Sequence, residues 1–270
     1  MLRRGLRAAD GGLVVLIVAV SALALIMDAF SSQTLRSGPR VVVGLLFAVG
    51  TAALWLVLFY RQDRLEQEPK HLVATVAVVA ALGAAAISEP LIRLAPIPDG
   101  PARLLVGVLV AGMVREFTKY LSVRLVAVPS HNVNERADGV IYGTAAGLGY
   151  ALAMSTTFVI STGGADVAPG FAFITATMLV HAALGGLVGY LVARDHLESV
   201  PVWWLPVGLL VTAAIDVAFF EARAALAGAV TTPGASGMLA SWLGMGLALA
   251  TATAITIALM GAMRQEEAAV

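Results

Sequence analysis

The sequence contains no cysteine, which excludes disulfides, thiolate catalysis and cysteine-ligated metal. Charge is scarce too. Only 13% of the 270 residues are Asp, Glu, Lys or Arg, against roughly 25% in a soluble domain. The 17 basic residues cancel the 17 acidic ones. No basic stripe exists to follow a phosphate backbone, so nucleic acid is not an expected partner. Internal repeats, low-complexity tracts and long polar segments are missing as well. No loop can hold a second domain, and residues 1–270 read as one membrane unit.

What is abundant is apolar surface, at 59% of residues. Eight apolar stretches have spanning length: Gly12–Phe30, Val41–Tyr60, Leu72–Pro90, Leu104–Val123, Gly139–Ser161, Gly170–Arg194, Val202–Phe220 and Met238–Met263. A helix needs about 20 residues to cross the hydrocarbon core. The expected fold is therefore an all-α, polytopic helical bundle of about eight transmembrane helices in a cell membrane, with the lipid bilayer as its solvent. The first stretch follows Arg3–Arg7 and passes Ala22-Leu23-Ala24, the pattern of a cleaved secretory signal. It runs on through Met27, so we read it as a retained span. With the N-terminus inside, ten Lys/Arg fall in one set of connections and five in the other. That bias places both termini in the cytoplasm.

One apolar stretch is interrupted. Arg115-Glu116-Phe117-Thr118-Lys119 lies within Leu104–Val123, where each charge costs roughly 2.5–3.5 kcal/mol to insert. Such a cluster persists when it faces the bundle interior and finds partners. The i, i+3 and i, i+4 spacings crowd Glu116, Arg115 and Lys119 together. In the seventh stretch, Asp216 supplies a carboxylate that would balance the sum. His181 is placed inside a span, unlike the other three histidines, and it shares a helix face with Gly185 and Gly189. Gly143 and Gly147 form a second small-residue pair, so both faces suit close helix contact. Asp138, ahead of Gly139, reads as a helix N-cap. The loop Tyr60–Pro69 carries Asp63, Glu66 and Glu68, which could be no more than a solvated turn.

Taken in order, these residues resemble the PrsW family of intramembrane proteases, within the CAAX-protease and bacteriocin-processing superfamily. The family's Tyr-x-x-Asp-x-x-Glu-x-Glu-Pro loop is matched by Tyr60, Asp63, Glu66, Glu68 and Pro69. Its Glu-Glu-x-x-Lys is matched by Glu116 and Lys119. Asp138, Gly139, Tyr142, Gly143, Gly147, Gly149, Tyr150 and Ala151 fit its Asp-Gly signature, and His181, Ala182, Gly189 and Tyr190 fit the next. The agreement runs from about residue 57 to 220. Four positions depart from it: Arg115 replaces the first glutamate, Met154-Ser155 replaces Glu-Asn, and Thr212 replaces the histidine four residues before Asp216.

The resemblance implies peptide cleavage in the membrane by water activated at glutamate and histidine, alone or on a metal. The expected catalytic set is Glu116, His181, Lys119 and Asp216. Arg115, Asp63, Glu66, Glu68, Asp138 and Tyr142 would bind substrate or hold the structure. Glu116, His181 and Asp216 could supply three ligands to zinc. A guanidinium beside the ion would repel it, which disfavours a divalent metal, and the cofactor stays open. Two readings follow. An active endopeptidase needs Glu116 and His181 within reach of one water. A pseudoprotease that binds or shelters a partner transmembrane helix would show Arg115 in a bidentate pair with Glu116 or Asp216. In either case the partner is a single-span membrane protein. A transporter is the remote alternative, because matched half-helix breaks are not seen.

Overall fold

The computed structural model describes residues 37–62, 68–100, 102–164, 167–229 and 236–267. These residues form helices and no strand, as hydrocarbon requires: only a helix satisfies its own backbone groups without water or a closed barrel. The elements are α1 (Ser37–Gln62), α2 (Lys70–Gly83), α3 (Glu89–Leu94), α4 (Ala102–Gly107), α5 (Met113–Ser122), α6 (Arg136–Ser161), α7 (Val167–Leu197), α8 (Trp204–Ala229) and α9 (Ser236–Glu267). Six helical segments are long and apolar enough to cross a membrane: Gly38–Val57, Lys70–Leu94, Arg136–Ser161, Pro169–Leu197, Trp204–Ala229 and Leu239–Met263. The expected first span, 12–30, lies outside the described residues. The expected fourth is helical through α4 and α5, but its charges keep it out of the six.

Helices α6 and α7 form the centre of the bundle. About 67% and 78% of their spanning windows are buried, against 28–33% in the other four spans. Their small residues explain the closeness. A Cβ added to Gly143 would lie 2.1 Å from the carbonyl oxygen of Gly185, and one on Gly189 would lie 1.8 Å from that of Gly139. The two backbones touch directly, as small-residue stripes permit. A Cβ on Gly147 would come within 1.9 Å of the His181 carbonyl oxygen. We expect Gly147→Ala to push α7 away and cost about 1–3 kcal/mol. Thermal unfolding in detergent checks this, with Gly246→Ala as the unaffected control because nothing lies within 4 Å of that site.

Three π-turns interrupt the α-helices around the charged segment. Ala84–Ser88 joins α2 to α3, Val108–Gly112 joins α4 to α5, and Val123–Ala127 follows α5. The first precedes Glu89-Pro90, where proline lacks an N–H and crowds the preceding turn. A wider turn relieves that crowding. On the second, Gly112 packs so tightly on α8 that a Cβ would meet the Ala213 carbonyl oxygen at 2.7 Å. Thus α5 is pinned between α2–α3, α7 and α8, with its charges turned inward.

Candidate active site

Glu116, Lys119, His181 and Asp216 are each fully buried. Lys119 Nζ donates to Glu116 Oε1 at 2.6 Å and lies 3.3 Å from His181 Nδ1. An ammonium can only donate, so Nδ1 is the acceptor and the ring proton sits on Nε2. That Nε2 faces the Met154 thioether at 3.3 Å. On the other side, Asp216 Oδ1 is 3.7 Å from His181 Nδ1. Glu116 Oε2 and Asp216 Oδ1 have no hydrogen-bond partner among the described residues. Buried carboxylate oxygens are seldom left so, because each forgoes its hydration.

Arg115 turns away from Glu116. Its Nη1 donates to Asp216 Oδ2 at 3.0 Å, its Nε is 4.0 Å from Glu89 Oε1, and its Cζ lies 5.0 Å from the Phe220 ring centre. The Tyr150 hydroxyl donates to the same Glu89 oxygen at 2.9 Å. The pair with Asp216 is made by one nitrogen, so it lacks the fork geometry expected of a bidentate pair. Two cations therefore face three carboxylates: Glu116, Asp216 and Glu89.

Glu89 was not anticipated. Its signal was present, since it is an acid inside the third apolar stretch, and intramembrane acids are functional by default. Glu68 and Tyr142 sit apart from this cluster. They hydrogen-bond to each other and join the start of α2 to α6. Asp138 is not the N-cap. Glu135 takes that position, and Asp138 reaches back from the third helical residue to the backbone N–H groups of Asn134 and Glu135, at 2.9 and 2.6 Å. The polar loop ends at Glu135, two residues earlier than its composition suggested, which makes a capping box of the two acids. Asp63 and Glu66 lie outside the described residues.

A family model described as PrsW family intramembrane metalloprotease matches residues 67–245, well over half of the chain. The chain belongs to the PrsW family. It is similar to Protease PrsW of Bacillus subtilis (strain 168), 26% identical over 160 residues, which is 58% of this chain and 71% of that protein. No solved structure matches. The family match includes Glu68 but stops short of Tyr60, Asp63 and Glu66. It also extends beyond residue 220, into α9.

Membership in the PrsW family implies a metal, and the donor set can be tested for one. A carboxylate oxygen of Glu116, one of Asp216 and a ring nitrogen of His181 lie within 4.8 Å of one another. Two carboxylates and an imidazole suit zinc in number and kind. The partnerless oxygens of Glu116 and Asp216 would gain a ligand. Arg115 does not stand among the donors, because it holds Asp216 by Oδ2 and leaves Oδ1 free. The residues fit a divalent ion, provided that Lys119 Nζ swings aside from His181 Nδ1. We expect about one equivalent of zinc per chain by elemental mass spectrometry after loading, and a 10–100-fold loss of affinity or more in His181→Ala.

Proposed function

We propose that this protein is an intramembrane endopeptidase that cuts a single-span membrane protein within or near the bilayer. The observation that carries this reading is Glu116 Oε2, a buried carboxylate oxygen without a partner among the described residues, in a cluster with His181 and Asp216. One water can reach both carboxylates over the spacing given above. Lys119 occupies Glu116 Oε1 and so fixes which oxygen serves as base. Glu116 Oε2 takes a proton from the water, and the water oxygen attacks the scissile carbonyl carbon. The C=O pair moves to the oxygen. On collapse the C–N bond breaks, and Glu116 returns the proton to the leaving nitrogen. Asp216 Oδ1 accepts the second water hydrogen and orients the lone pair. If Glu116, His181 and Asp216 instead held a zinc ion, Glu116 Oε2 and Asp216 Oδ1 would serve as ligands, and the ion would supply Lewis-acid polarisation and a more acidic water in place of those two roles.

A second reading rests on the Arg115–Asp216 pair. If that ion pair serves only to lock α5 against α8, the protein is a pseudoprotease that binds or shelters a membrane helix. Comparing membranes with wild type, Glu116→Ala and His181→Ala separates the two. Mass spectrometry should find single-span proteins whose fragments vanish in both variants. Unchanged fragments at equal expression support the pseudoprotease.

The proposed topology has eight spans, with 12–30 and the α4–α5 stretch added to the six, and both termini in the cytoplasm. The ten-to-five bias of Lys/Arg supports it. The α4–α5 stretch spans despite its charges because they pair inside the bundle. Reporter fusions at the C-terminus test the orientation: a cytoplasmic reporter should be active there, and a periplasm-dependent phosphatase should not.

A further inference from the structure

A cavity of about 190 Å³ opens between α3, α4 and α8, lined by Ile92, Ile97, Arg103, Ala111, Arg115 and Phe220 among others. It is larger than the engineered cavity of about 150 Å³ that accepts benzene, yet too small for an intact helix. The outer end is polar and open: Arg103 Nε donates to Glu221 Oε1 at 2.9 Å, with side chains 49% and 34% exposed. The inner end is Arg115, only 13% exposed. Arg103, Gly107, Ala111 and Arg115 recur every fourth residue. An α-helix drifts by about 40° over each such step, and the wider π-turn at Val108–Gly112 offsets that drift. A groove floored by two small residues therefore runs from the Arg103–Glu221 pair to Arg115.

Arg115 Nε is buried and has no hydrogen-bond partner among the described residues. Its charge is already met by Asp216 and Glu89, so an added anion would face two carboxylates. A neutral acceptor fits. Arg115 also links the cavity to the catalytic cluster, because its Nη1 holds Asp216 Oδ2. We propose that this cavity is the substrate subsite: a short unwound segment of a membrane helix enters past Arg103–Glu221, and the guanidinium of Arg115 at the inner end donates to one of its backbone carbonyls. The inference rests on the reading of a protein that binds a membrane helix. It supplies a role for the arginine that stands where the family has glutamate.

The test uses the lack of native cysteine. Ile97→Cys, at the cavity mouth, is labelled with a maleimide in vesicles, in a Glu116→Gln background so that cleavage plays no part. The probes are two synthetic Ala/Leu single-span peptides of about 24 residues, one carrying Gly-Ser-Gly at its centre and one unbroken. The broken peptide at roughly ten times its Kd should slow labelling about tenfold, and the unbroken one should not. Arg115→Gln should remove the protection, and Ala111→Phe, which fills the groove, should do so while leaving the chemistry of Arg115 intact. Equal labelling with and without the broken peptide would overturn the proposal. So would equal protection by both peptides, as would protection that survives both substitutions. Because no cleavage is read, this failure is distinct from failure of the protease reading, which is judged by fragments from the wild type.

Discussion

Glu116→Gln should lower cleavage by about 10²–10⁴-fold, the range of general acid–base catalysis. The amide keeps the size of the carboxylate and can still accept from Lys119, so the bundle should remain assembled. What it loses is the basic oxygen. In the wild type Lys119 takes Oε1 at 2.6 Å and leaves Oε2 in the cluster, and an amide at that place cannot take a proton from water. The measurement is the rate at which a cleaved single-span substrate appears, with thermal unfolding run in parallel. A normal rate in a folded Glu116→Gln protein would remove Glu116 from the chemistry. A loss of rate matched by a loss of folding would make the residue structural.

Asp216→Asn should destabilise the protein by on the order of 3 kcal/mol, the usual effect of removing one member of a buried ion pair. Asp216 is fully buried and holds Arg115 at 3.0 Å. Asparagine keeps a hydrogen-bond acceptor but not the charge. Glu89 stands 4.0 Å from Arg115 Nε and cannot make up the difference at that distance. Thermal unfolding in detergent reads this directly. The double variant Asp216→Asn with Arg115→Gln should recover part of the loss, because no buried cation is then left unmatched. Equal stability of wild type and Asp216→Asn would show that the pair contributes nothing to the fold.

Much of this arrangement was legible in the chain. Charges inside an apolar stretch had to turn inward, and Asp216 and His181 were intramembrane polar groups that could meet them. The glycine spacing in α6 and α7 announced their contact. What the sequence did not reveal was direction. Residues 115 and 116 point about 100° apart on a helix, so Arg115 reaches α8 and α3 while Glu116 reaches Lys119 and α7. Spacing alone grouped them on one side. Glu89 was obscured by its place at the end of a span, where an acid before proline reads as a boundary.

That missed glutamate changes one expectation. If the site were merely switched off, Arg115→Glu would restore the family's carboxylate pair and could raise activity. In the folded protein it would set a new carboxylate between Asp216 and Glu89 with Arg115 gone. Like charges so close in a buried place repel strongly, and the variant should unfold at lower temperature than Arg115→Gln.

The central claim is that Glu116 activates water for peptide hydrolysis. The direct measurement is to grow or incubate membranes containing wild type or Glu116→Gln in water enriched in ¹⁸O and to sequence the membrane fragments by mass spectrometry. The account predicts wild-type fragments carrying ¹⁸O at the new C-terminal carboxylate and their absence from the variant. The same fragments in both, at equal expression, would contradict it.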